Sequence, residues 1–125
     1  MNDKMKILVI DDDKIQLNQA GEILRTQYEV FMVKSAEAGM KLLMKKEKPD
    51  LILLDISMPE MDGFEATQEI RMWENDKDRH VVIIAMTANA LIDDRQRCLQ
   101  VGMDDYISKP IHPHELKDTL ERWIK

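Results

Sequence analysis

The stretch Leu51-Ile-Leu-Leu-Asp-Ile-Ser-Met-Pro-Glu-Met-Asp-Gly63 decides the fold. Its opening apolar run has the length and bulk of a strand buried on both faces, and it stops at Asp55, an acid that the interior of such a strand does not hold. Asp55 therefore stands at a strand's exit. Ligands of open parallel sheets bind outside the carboxyl ends of the strands, so a carboxylate there is a chemical candidate before it is a packing residue. Ser57-Met58-Pro59 and Asp62-Gly63 then carry the chain away through a turn, because Pro ends the strand and Gly supplies unusual backbone angles.

The flanking segments repeat the pattern. Lys6 to Ile10 reads as a short apolar strand followed by Asp11, Asp12 and Asp13. One of these acids can cap the helix that begins at Lys14, but a cap needs only one, and three in succession repel each other unless a cation or a lysine balances them. The excess argues for a metal. The helix from Lys14 to about Arg25 places Leu17, Ala20, Gly21 and Leu24 on one stripe and leaves Ile15 on its polar side, either an ordinary surface isoleucine or a docking residue. Glu29 to Val33 forms the second strand, and Ser35 opens a second helix with Ala36, Gly39, Met40 and Leu43 inward. A third helix runs from about Gly63 to Trp73, with Ala66, Ile70 and Trp73 inward. Val81 to Met86 is another buried strand, ending at Thr87. A fourth helix, about Leu91 to Val101, has a thin apolar face and Gly102 as its C-terminal cap. Asp105 to Ser108 is a fifth strand containing Tyr106, with Lys109-Pro110 at its exit. Pro113 starts the last helix, where Leu116, Thr119, Leu120 and Trp123 face inward. His80, His112 and His114 read as surface residues.

Size and charge narrow the function. The 125 residues suffice for one core, and no repeat or linker divides them, so a single domain over residues 1–125 is expected. Lys and Arg number 18 against 24 Asp and Glu, a net charge of −6 that disfavours direct nucleic-acid binding. Cys98 is the only cysteine, and no apolar run approaches the roughly 18 to 20 residues of a membrane span. No signal peptide is recognisable at Met1 to Met5, so a reducing cytoplasmic setting is expected. The ten methionines read as core filler. The start at Met1-Asn2-Asp3-Lys4 reads as a natural N-terminus, and a stand-alone regulator and a piece of a larger signalling protein both stay open.

Five strands alternating with five helices make an α/β domain with a parallel sheet, and its polar strand exits share one edge: Asp11 and Asp12, Asp55, Thr87 and Lys109. Paired acids with a third carboxylate suit Mg2+, and a hydroxyl with an ammonium beside it suits the oxygens of a phosphoryl group. Four ordered blocks then make the chain resemble the receiver domain of two-component response regulators, in the manner of the chemotaxis regulators. They are Ile7-Leu-Val-Ile-Asp-Asp-Asp13, Leu53-Leu-Asp-Ile-Ser-Met-Pro-Glu-Met-Asp-Gly63, Met86-Thr-Ala-Asn-Ala90 and Gly102-Met-Asp-Asp-Tyr-Ile-Ser-Lys-Pro110.

The resemblance implies a flavodoxin-like (βα)5 fold with strand order 2-1-3-4-5 and helices on both faces; the order is borrowed from it and not read from the residues. It implies that Asp55 accepts a phosphoryl group from a partner's phosphohistidine, and that Asp12, Asp55 and the Ser57 carbonyl bind Mg2+, with Mn2+ as the alternative ion. Asp11 assists through water. Lys109 would pair with the acyl phosphate, Thr87 would move toward it, and Tyr106 would follow Thr87 as an aromatic switch. Ser57 and Asn89 occupy positions that tune phosphoryl lifetime. Ile15 and Ile111 are expected to rim the site and dock the donor. The partners implied are a sensor histidine kinase or a histidine phosphotransfer protein, with no nucleic acid and no membrane; a phosphorylation-dependent homodimer is compatible with this. The switching surface would be the face of the fourth helix, fifth strand and fifth helix. Such a protein is a phosphoacceptor that assists its own phosphorylation and dephosphorylation, not a turnover enzyme. The rival readings are a receiver-like interaction module that never carries phosphate, and a phosphatase of the haloacid dehalogenase type using Asp11-Asp12-Asp13 as its Asp-x-Asp.

Overall fold

A computed structural model describes residues 5–44, 49–56, 63–75, 80–87, 96, 99–108 and 111–123. Its strands are β1 (Lys6–Ile10), β2 (Glu29–Val33), β3 (Leu51–Asp55), β4 (Val82–Thr87) and β5 (Asp105–Ser108). They form one parallel sheet in the order β2-β1-β3-β4-β5, as the resemblance implies. Helices α1 (Lys14–Leu24), α2 (Ala36–Met44) and α3 (Gly63–Asn75) alternate with the first strands, and a last helix covers Pro113–Trp123.

Side-chain alternation along each strand sorts the core into two layers. Leu8, Ile10, Ile52, Leu54, Ile83 and Ala85 face one side, where Ala66 and Ile70 of α3 cover them. Ile7, Val9, Leu51, Leu53, Ile84 and Met86 face the other, against Leu17, Ala20 and Leu24 of α1 and Leu116 and Leu120 of the last helix. The central strands are thus apolar at nearly every position because both their faces are covered. The edge strands β2 and β5 are only half-buried.

Several expectations shift in detail. β4 begins at Val82, one residue later than the sequence placed it, and ends at Thr87 as expected, with Thr87 opposite Ser108 in the ladder. Trp123 does not face inward: it is 39% exposed, and its indole N–H donates to Asp105 Oδ2 at 2.9 Å. Of the expected fourth helix, only Gln96, Leu99 and Gln100 are described as helical, and the rest of Leu91 to Arg97, with Cys98, lies outside the described residues. Gly102 follows with φ +107°, the left-handed backbone that a C-terminal glycine cap uses, and its N–H donates to the Leu99 carbonyl at 3.2 Å.

Candidate functional site

Parallel strands end on the same side, and the register brings two acids abreast. Ile10 pairs with Leu54, so Asp11 after β1 and Asp55 at the end of β3 are neighbours. The backbone is tied down at both: the Asp11 N–H donates to the Val33 carbonyl and the Ile56 N–H to the Met86 carbonyl, each at 3.2 Å. Ligand oxygens of Asp11, Asp12 and Asp55 all lie within 4.8 Å of one another. Asp11 and Asp55 are buried, and Asp12 is exposed.

The three consecutive acids divide between two tasks. Asp13 is the N-cap of α1, in extended backbone, and its Oδ1 accepts the Ile15 N–H at 2.9 Å. Asp11 Oδ1 accepts the Asp13 N–H at 2.9 Å and so fixes the turn between strand and helix. Asp12 takes no part in that turn bonding and lies at the open side of the cluster. Capping thus occupies Asp13, and the oxygens of Asp11, Asp12 and Asp55 form the separate group that a metal would need.

Unit charges about 5 Å apart at an effective dielectric near 20 repel by roughly 3 kcal/mol, so three clustered carboxylates call for a countercharge. Their chemistry fits a small divalent cation: hard oxygen donors, two held rigidly by the sheet edge and one open to solvent, leaving room for water or a phosphate oxygen. Thr87, buried, stands one residue beyond Met86, the cross-strand partner of Asp55. Tyr106 lies opposite Ala85 on the neighbouring strand, half-buried against the core layer that α3 covers. The sheet therefore gathers Asp11, Asp12 and Asp55 and places Thr87 at the same edge. Ser57, Asn89 and Lys109 lie outside the described residues.

The two docking expectations separate. Ile15, in the first turn of α1, is 68% exposed close to the acids. Ile111 is buried with Leu116 and Leu120 in the core layer under the last helix, which corrects its placement on the rim: packing accounts for it, and it offers a partner little surface.

Sequence reasoning missed a charged network at the opposite end of the sheet. Arg71 of α3 donates from Nε to the Gly102 carbonyl at 2.8 Å. It donates from one terminal nitrogen to Glu74 at 2.7 Å and the Val81 carbonyl at 2.8 Å, and from the other to Asp104 Oδ2 at 2.9 Å. Glu74 also accepts the Val81 N–H, and Asp104 accepts the Ile83 N–H at 2.8 Å. His80, exposed as expected, is not solitary: its Nε2 lies 3.0 Å from Asp104 Oδ1. The spacing of Arg71 and Glu74, three apart on a helix, was the available signal.

The family model described as "Response regulator receiver domain" matches residues 7–121. The chain is 40% identical over 131 residues to hybrid signal transduction histidine kinase B of Dictyostelium discoideum, covering 96% of this chain and 6% of that protein. The first curated relatives are all much longer, the chain spanning between 6% and 16% of their length. Among solved structures, the receiver domain of sensor histidine kinase PA1611 from Pseudomonas aeruginosa PAO1, with magnesium ion coordinated in the active site cleft, aligns with TM-score 0.82 and 40% identity over 97% of this chain and 98% of that one. The receiver domain of Ssk1 from Saccharomyces cerevisiae, co-crystallised with the histidine phosphotransfer signaling protein Ypd1, aligns with TM-score 0.86 and 26% identity over 96% of this chain and 88% of that one.

Proposed function

Because this chain belongs to the response regulator receiver domain family, we propose that it takes a phosphoryl group from a partner's phosphohistidine onto Asp55. The carrying observation is the cluster itself: a buried carboxylate ends the central strand with the oxygens of Asp11 and Asp12 within 4.8 Å. An oxygen of Asp55 attacks phosphorus in line with the P–N bond of the donor. The P–O bond forms as the P–N bond breaks, and its electron pair stays on the departing imidazole nitrogen.

Asp12 and Asp55, with the Ser57 carbonyl, would hold Mg2+ or Mn2+, and Asp11 would assist through water. Bound there, the ion supplies charge neutralisation for the phosphoryl oxygens. Lys109 would pair with a further oxygen, Thr87 would hydrogen-bond the product, and Tyr106 would follow Thr87, biasing the face around β5 and the last helix between two states. Ser57 and Asn89 would set how readily water reaches the acyl phosphate. The protein acts as a phosphoacceptor that assists its own phosphorylation and dephosphorylation.

The partner is a histidine kinase or histidine phosphotransfer protein, in line with the Ypd1 complex of the Ssk1 receiver, and Ile15 is the contact we assign to it. A cytoplasmic setting agrees with the described residues, in which no helix is long and apolar enough to cross a membrane. The phosphatase reading is disfavoured because Asp13, the second acid of its Asp-x-Asp, is engaged as the cap of α1.

The test is incubation with acetyl phosphate and Mg2+, borohydride trapping and mass mapping of the adduct. Label at Asp55, lost in Asp55→Asn, is expected. Label at Asp11 points to the phosphatase, and no label to an interaction module. Ile15→Glu should slow transfer from a phosphohistidine donor and leave labelling by acetyl phosphate unchanged; equal loss of both would remove the docking role.

A further inference from the structure

The charged network around Arg71 lies at the entry edge of the sheet, away from the acids, and the proposed phosphotransfer does not use it. Its partners belong to three separate pieces of chain. Glu74 lies on α3, Val81 and Ile83 lie at the entry of β4, and Gly102 and Asp104 lead into β5. A second bond closes the last of these, the Asp104 N–H donating to the Ile83 carbonyl at 2.8 Å. The Arg71 side chain also packs closely on Gly102, where a built Cβ would meet its Cγ at 3.2 Å. One planar guanidinium thus satisfies two carboxylates and two carbonyls, a task its rigid fork suits and a lysine ammonium does not. His80 on Asp104, with its other ring nitrogen 4.0 Å from Glu74, completes the groups facing the cluster among the described residues.

We propose that Arg71 is the positioning residue of the switch: it anchors the entry of β5, so that a change of state swings the strand's exit about a fixed base. This rests on the phosphorylation reading above. The geometry supports it through the bonds that converge on the entry of β5. The entry at Asp104 is bonded to Arg71, His80 and the backbone of Ile83. The exit at Ser108 pairs with Thr87 in the ladder, and among the described residues no further strand pairs with the outer side of β5. Four residues at about 3.3 Å each make a lever on the order of 10 Å, so a tilt of about ten degrees at the entry moves the exit by nearly 2 Å. Tyr106 sits along that lever. A loose entry would absorb the tilt before Tyr106 responded.

Amide spectra of the whole chain before and after acetyl phosphate with Mg2+ test this. In the wild type the Thr87 and Tyr106 amides should shift while Gly102, Met103 and Asp104 stay in place. In Arg71→Met, and in Asp104→Asn should that variant fail to fold, Asp55 should still take label. The Ile83 and Asp104 amides should exchange about tenfold faster, and the shifts should spread into Gly102–Asp104 as the Tyr106 shift shrinks. Ile70→Val, which weakens α3 by packing alone, should keep the wild-type pattern. Anchor amides that shift as far as Tyr106 in the wild type would overturn the proposal, as would a wild-type pattern in Arg71→Met or an Ile70→Val pattern matching it. Absence of label at Asp55 in the wild type would sink the phosphorylation reading and the switch role with it, whereas labelled wild type with unchanged Ile83 and Asp104 exchange in Arg71→Met would overturn the anchor alone.

Discussion

Asp11, Asp12 and Asp13 are one residue type in three environments, and each environment sets a different consequence of removal. Asp13 caps α1, so Asp13→Ala should lower stability by about 1 kcal/mol with or without divalent ions, read from urea midpoints. Asp12 is the exposed member of the carboxylate cluster, and removing it relieves repulsion while deleting a proposed ligand. Asp12→Ala should therefore melt higher than the wild type in chelator and lose most of the rise that Mg2+ gives the wild type. A variant that melts lower in chelator would mean that the acids are already neutralised within the protein. The sequence showed that three acids exceed the needs of a cap, but not which one caps. Capping and ligation draw on the same side chain, and only the hydrogen bonds to the Asp13 and Ile15 amides separate them.

At the scale of elements, the strands were legible because burial on both faces demands an apolar run with a polar stop, a signal that few other structures leave. α1 was legible for the complementary reason: its stripe of Leu17, Ala20, Gly21 and Leu24 is the buried set. The last helix shows where periodicity misleads. Trp123 continues the inward pattern of Leu116, Thr119 and Leu120, yet it ends the helix and turns its indole N–H to Asp105. The pattern gives a side chain's direction but not where the sheet beneath it stops. α2 seats on β1 through Gly39, where a Cβ would lie 2.5 Å from Ile10 Cδ1 and 3.2 Å from its Cγ1. Ile10 is itself buried against Leu54, so it has little room to yield. Gly39→Ala should cost about 1–3 kcal/mol despite alanine's better helix propensity, measured by chemical denaturation. An unchanged midpoint would show that α2 can lift off the sheet freely.

Over the whole molecule, the sheet has two chemically distinct ends: carboxylates at the strand exits, and an arginine between two acids at the entries of β4 and β5. The first end could be read from the chain because each polar residue interrupts an apolar run. The second could not, because Arg71 and Glu74 look like a solvated helix pair until the two strand entries close over them. Strand order was likewise absent from the residues and came with the resemblance. The layer shared by α1 and the last helix carries one titratable group that links distant parts of the chain. Tyr28, in the turn before β2, is partly buried against that layer, and burial first, then the Glu121 carboxylate, raises its phenol above the ordinary value. A raised value means that the folded state favours the neutral phenol. This preference is fully present below about pH 10, the ordinary tyrosine value, and is lost as pH rises through the higher folded value. Urea midpoints followed from about pH 8 to about pH 11 should therefore fall more steeply in the wild type than in Tyr28→Phe, with Glu121→Gln in between. The rank of the three slopes identifies the cause. Equal slopes in the wild type and Tyr28→Phe would assign the alkaline loss to other groups, and a Glu121→Gln slope matching the wild type would leave burial as the sole origin of the shift.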